Sequence, residues 1–194
     1  MDNRARIRDL EIEYTVDYRD VKYPRLEFKT GDLLLILPKN YEDTKNITEK
    51  HKEWIYKKAL IIKKALEEAK DKTLNLNRTE EELKSLVYST VTRFKGEFNL
   101  DINKVYFRKM KSKWGSLSRK RNLTINTLLK YLPDKLIEYV IFHEMVHIRE
   151  RKHNDNFWKM ISKKFKDHQI MEQELLVYWF LIHKTSEGEA TLRE

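Results

Sequence analysis

The hydrophobic pattern changes period once along the chain, and that change limits the fold more than any other feature. Over the first quarter the apolar side chains alternate. Ile12, Tyr14, Val16 and Tyr18 share one face of an extended segment, Leu26 and Phe28 follow Pro24, and Thr30-Gly31-Asp32 marks a turn before the run Leu33 to Leu37. Period two interrupted by turns predicts a small antiparallel sheet. From Asn46 the spacing lengthens: Ile47, Trp54, Ile55, Ile61, Ile62 and Leu66 recur at helical intervals, with Asn46 and Glu49 at capping-box spacing, so one long helix is expected. Beyond the polar stretch 71–78, Thr79 and Glu82 repeat the cap signal ahead of Leu83, Leu86, Val87, Val91 and Phe94, and a second helix follows.

The remaining half mixes both periods. Strand-like segments at 105–110 and 122–126 enclose a loop, 113–121, that contains Trp114 and Gly115. Leu132-Pro133-Asp134 opens a helix through Leu136, Ile137, Val140, Ile141 and Ile148, since Pro suits a first helical position. Two further helical stretches carry Phe157, Trp158, Ile161 and Phe165, then Met171, Leu175, Leu176, Trp179 and Ile182. A chain of 194 residues suits one domain. The expectation is an α+β domain over 10–184, with a β part at 10–45, a helical part at 46–100 and a metal-binding part at 101–184, then a polar tail at 185–194.

Composition narrows the chemistry. The chain has no Cys, which excludes disulfides, Cys-based zinc fingers, iron–sulfur clusters and thiol nucleophiles, so any metal must be held by His, Asp or Glu. No apolar run approaches the length needed to cross a bilayer, and residues 1–10 lack the apolar core of a signal segment; a cytoplasmic protein without membrane contact is expected. Lys and Arg exceed Asp and Glu by a net charge of +9, which favours acidic partners.

The densest chemical signal lies at 143–153, which holds three of the six His residues. In His143-Glu144-Met145-Val146-His147 the two imidazoles are one helical turn apart, about 40° from each other around the axis, so both can face one ion. Glu144 is offset by about 100°, which suits a base beside the ion rather than a ligand. A hydrolytic zinc site keeps three protein donors and one open position, so a third donor is required. His153 is the nearest candidate, and Glu172 and Glu174 in the last helical stretch compete with it. On an unbroken helix His153 would sit about 600° and about 9 Å beyond His147, on the wrong side, so its participation predicts a break near Glu150-Arg151-Lys152. Asn154-Asp155-Asn156 provides a loop and an N-cap for the next helix. The plainer reading, in which the two His and Glu144 merely pack or are solvated, is disfavoured because they interrupt an otherwise apolar helix and burying them unpaired is costly. The chemistry implied is hydrolysis by metal-activated water with Glu144 as general base, and an oxyanion would be held by the metal and by a donor from the Trp114-Gly115 loop or from Asn126.

Upstream of this helix, residues 102–133 contain no acid but hold Lys104, Arg108, Lys109, Lys111, Lys113, Arg119, Lys120, Arg121 and Lys130. Such a stretch attracts phosphates or acidic peptides, and Arg119, Lys120 and Arg121 are its candidate contacts for nucleic acid; a solvated basic loop explains it equally well.

The string HEMVHIRERKHNDNFW at 143–158, with KWGS at 113–116 and LTIN at 123–126, resembles the YgjP-like metallopeptidase family, relatives of the SprT group. The resemblance extends over roughly 12–183. It implies a zincin-like α+β fold with the active-site helix beside an antiparallel edge strand, near 122–126, where an extended substrate could pair. It also implies one Zn²⁺ held by His143, His147 and His153, with Glu144 as catalytic base. The family's W-G-S-C element is W-G-S-L here, with Leu117 in the Cys position, which removes any role for a thiol there. The His spacing also matches metzincins, but Glu150 stands where that motif needs Gly. The function expected is a zinc metallopeptidase acting on peptides or proteins. The alternatives are a metal-dependent nucleoside triphosphate (UTP-type) pyrophosphatase, an activity also associated with the family, and a nucleic-acid-binding module with a structural metal. Glu144 argues against the last, since a structural metal needs no base beside an open position.

Overall fold

The computed structural model describes residues 3–29, 31–41 and 43–191. The chain divides into two compact units, one of the residues up to Asp71 together with those from His183 on, the other Lys72–Ile182. In the first unit, β1 (Asn3–Ile7), β2 (Leu10–Arg19), β3 (Arg25–Lys29) and β4 (Asp32–Pro38) form a four-stranded sheet in the order β1-β2-β4-β3. Both hairpins are antiparallel, as alternation predicts, but β2 and β4 pair in parallel, Tyr14 opposite Leu33. The parallel pair arises because β3 occupies the outer side of β4 and leaves β4 central, which explains why Leu33, Leu35, Ile36 and Leu37 are all buried.

The expected long helix is two: α1 (Thr44–Lys50) and α2 (Lys52–Glu68), parted at His51. Asp43, not Asn46, caps the first, its carboxylate accepting from the Asn46 N–H at 3.0 Å. Ile47 and Ile55 flank the break, and both bury in one cluster with Ile12, Tyr14 and Leu35.

The second unit is built on α3 (Glu80–Phe98), whose Thr79–Glu82 capping box is formed as its sequence signals. Its stripe Leu83, Val87, Val91 and Phe94 packs into one core with β7, α4, α5 and α6. Asn99 ends α3 in the left-handed conformation that Asn tolerates. A three-stranded sheet follows, β5 (Lys104–Arg108), β6 (Gly115–Leu117) and β7 (Asn122–Asn126), in the order β5-β7-β6. The helices α4 (Asp134–Val146), α5 (Asp155–Lys164) and α6 (His168–Thr191) complete it. α6 continues helically into the segment 185–194 expected as a tail; residues 192–194 lie outside the described residues. Among the described residues no helix is long and apolar enough to cross a membrane.

One strand assignment changes the site. β7 matches its expected bounds but is central, parallel to β5 and antiparallel to β6, so it cannot accept another strand. The edge beside α4 is β6, which lies in the segment expected as a loop; three residues starting at Gly are too few to show an alternation. Trp114 O accepts from Asn126 N at 2.9 Å and Ser118 N donates to Asn122 O at 3.0 Å. By alternation, Gly115 and Leu117 therefore turn their backbone groups away from β7.

Candidate metal centre

The helix carrying His143 and Glu144 is apolar nearly all round, with Leu136, Ile137, Tyr139, Val140, Ile141, Phe142, Met145 and Val146 buried. It ends at Val146, earlier than expected. The last turn tightens to bonds from His147, Ile148 and Arg149 N–H to the carbonyls of Glu144, Met145 and Val146 at 3.2, 3.0 and 3.0 Å. The chain then reverses, and Asn154 caps α5 by accepting from Phe157 N–H at 3.0 Å. That reversal brings His153 beside the helical pair.

Three ring nitrogens meet at one point. His153 Nε2 lies 3.0 Å from His143 Nε2 and 3.2 Å from His147 Nε2. His147 Nδ1 is 3.0 Å from the Glu150 carbonyl, which can only accept, so Nδ1 holds the ring proton and Nε2 keeps its lone pair. His143 Nδ1 likewise faces Glu172 Oε1 at 3.3 Å. Two lone pairs therefore point at His153 Nε2, and a single proton there could satisfy only one of them. A cation satisfies all three. Donors about 2.0 Å from one ion in a tetrahedron stand about 3.3 Å apart, close to the spacings found, so the residues fit a zinc ion.

Phe157, fully buried, floors the cluster: its ring centroid is 4.9, 4.8 and 4.6 Å from those of His143, His147 and His153. Burial, then the nearby His143 ring, holds the pKa values of His147 and His153 below the ordinary imidazole value, which favours the neutral form a metal requires. Glu172 does not join the three nitrogens, since its oxygen sits at the opposite edge of the His143 ring, where Tyr139 O–H also donates to it at 2.5 Å. Burial would raise the Glu172 carboxyl, but the hydrogen bonds from His143 and Tyr139 outweigh it and hold the group below its ordinary value. Glu174 pairs with Lys72 at 2.8 Å. Tyr139 lies one turn before His143, a spacing visible in the sequence, although its role there was not anticipated.

Glu144 stands beside the cluster and not in it. Burial pushes its carboxyl above the ordinary value, opposed by the charges of His143 and Lys113 and by a hydrogen bond from the Leu117 N–H. It lines a cavity of about 260 Å³ with Lys113, Gly115, Ser116, Leu117, His147 and Arg151. Of the residues expected to meet substrate, Gly115 is in this wall, whereas Trp114 packs edge-on against Trp179 at 5.0 Å. Asn126 is fully buried; its amide donates to the Met110 and Lys113 carbonyls and accepts from the Met110 and Leu128 N–H groups, so it is spent holding the loop. Arg119, Lys120 and Arg121 lie at the β6–β7 turn, outside the cavity wall. Arg151 was not anticipated as part of the wall, and nothing in its spacing signals it.

A family model described as YgjP-like, metallopeptidase domain, matches residues 25–177. The chain belongs to the YgjP-like metallopeptidase family. Membership brings with it a metallopeptidase type of hydrolase and a divalent metal, for which the three-His cluster offers a place. Two crystal structures of metallopeptidase zymogens are similar. Abylysin of Pyrococcus abyssi is 19% identical, with a TM-score of 0.43 over 46% of this chain and 91% of that one. Jannalysin of Methanocaldococcus jannaschii is 26% identical, with a TM-score of 0.39 over 48% and 90%. No curated protein matches.

Proposed function

We propose that this chain is a zinc-dependent peptidase in which His143, His147 and His153 hold the ion and Glu144 is the general base. One observation carries the reading: three imidazole Nε2 atoms converge beside a half-buried carboxylate that opens into a cavity. When bound, zinc supplies Lewis acidity that polarises a carbonyl and acidifies water. The chain's own residues do the rest. The Leu117 N–H favours the charged Glu144 carboxylate while burial raises its pKa, which suits it to take up a proton, and the same oxygen can return that proton to the departing amine nitrogen. The outward backbone groups of β6 that Glu144 leaves free offer an extended peptide a pairing edge across the cavity.

Two substitutions probe the supports. A Cβ on Gly115 would lie 2.7 Å from Glu144 Cγ, so Gly115→Ala must displace the carboxylate. A loss of about 10²-fold in kcat is expected at unchanged zinc affinity, as for other small misplacements of a reacting group. Glu172→Ala removes the acceptor at His143 Nδ1, and zinc affinity measured against a chromophoric chelator should fall by about 10- to 100-fold. Affinity within twofold of the parent would show that the carboxylate does not orient that ring.

The function itself is tested by incubating zinc-loaded protein with unfolded casein and, separately, with a nucleoside triphosphate panel, each alongside metal-stripped protein and Glu144→Gln. Casein fragments that need both zinc and Glu144 are the expected result. Release of pyrophosphate from a triphosphate with casein left intact would replace the peptidase reading with a phosphohydrolase.

A further inference from the structure

Several cations of the second unit are paired with carboxylates, Arg78 with Asp134, Arg93 with Glu138 at 2.7 Å, Lys95 with Asp101 at 2.7 Å, Lys135 with Asp167 at 3.0 Å, and Lys164 with Glu97 at 2.8 Å. Two of the cations that lack such a partner meet at the cavity beside Glu144. Lys113, just before β6, and Arg151, just after the turn that ends α4, both line it, and neither has a carboxylate within ion-pair distance among the described residues. They come from separate elements. The one carboxylate in the wall, Glu144, is half-buried and feels the charge of Lys113 from beyond ion-pair distance, and Glu172 is engaged by Tyr139 and His143, so neither forms an ion pair with these cations.

A peptide paired along β6 would carry its side chains past this wall. Two exposed cations on one cavity wall favour carboxylates and disfavour Lys or Arg, because like charges brought beside them repel and opposite ones attract. We propose that Lys113 and Arg151 make the cleft select peptides bearing an acidic side chain beside the scissile bond. The proposal rests on the peptidase reading for its substrate and on the cavity wall for its charge preference. A phosphate backbone would satisfy the same cations, but the cavity admits side chains between a strand edge and a helix, and the three exposed cations at the β6–β7 turn, which a long polyanion would also need, lie outside it.

Binding and cleavage separate the two claims. Fluorescein-labelled decapeptides with Glu, Gln or Lys on both sides of the central bond are titrated into zinc-loaded Glu144→Gln by anisotropy, and the same peptides are then offered to the parent enzyme. Binding should favour Glu over Gln by about fivefold at low salt, and the preference should shrink as salt rises. In the Glu144→Gln background, the double reversal Lys113→Glu with Arg151→Glu should invert the order, placing the Lys peptide first. Equal binding of all three peptides, or an order unmoved by the reversal, would overturn the proposal. So would a short oligothymidylate whose binding, and not the peptide's, is lost in the reversed variant. Selective binding with no cleavage of any peptide by the parent would leave the charge preference standing and remove the peptidase reading instead.

Discussion

Glu144→Gln is expected to lower kcat by about 10²- to 10⁴-fold while the protein still binds one equivalent of zinc. Gln has the same shape, and its carbonyl oxygen can still accept from the Leu117 N–H, so position is kept and only the capacity to take a proton is lost. The measurement is steady-state kcat on casein-derived peptides together with zinc stoichiometry from a chelator titration. A variant that retained more than about a tenth of the parent rate would remove Glu144 from the role of base.

Phe157→Ala is expected to have the largest effect on stability. The ring is fully buried and touches all three imidazoles, so its loss opens a cavity beneath the cluster and costs about 3–5 kcal/mol. For a chain of this size that lowers Tm by roughly 10 °C, read by circular dichroism on metal-stripped protein so that lost zinc does not enter. Zinc affinity should fall as well, because the three rings lose the surface that fixes their tilt. Phe157→Leu refills much of the volume and separates the two effects, since it should recover most of the Tm but not the flat contact that His147 makes with the aromatic ring at an interplanar angle of 29°. If Phe157→Ala left Tm unchanged, the ring would not be part of the core as described.

Much of the second unit was legible because its signals are local. The Thr79–Glu82 capping box, the bounds of β7 and the start of α4 after Pro133 each depend on residues within a turn or a strand of one another. The break before His153 was also legible, since helical geometry alone forbids an unbroken helix from bringing it to His147. The failures share another character. β6 reads as loop in the sequence because its strand state comes from pairing with β7, not from its own three residues. The parallel β2–β4 pair was missed because alternation fixes which face a residue occupies and says nothing of which neighbour a strand takes. Asn126 reads as available to a substrate in the sequence, but its amide is bound to residues as far away as Met110.

The order of residues alone was enough to set out the α+β pattern, the helix with His143 and His147 one turn apart, and the exclusion of any thiol chemistry. These follow from periodicity and from which side chains the chain possesses. Folding in three dimensions decided that Glu172 turns to the far nitrogen of His143, that Gly115 leaves room for Glu144, that β6 is the open edge, and that Lys113 and Arg151 share a wall. Each of these brings together residues that are 29 or more positions apart or lie on separate elements, and helical or strand periodicity carries no information about such pairs.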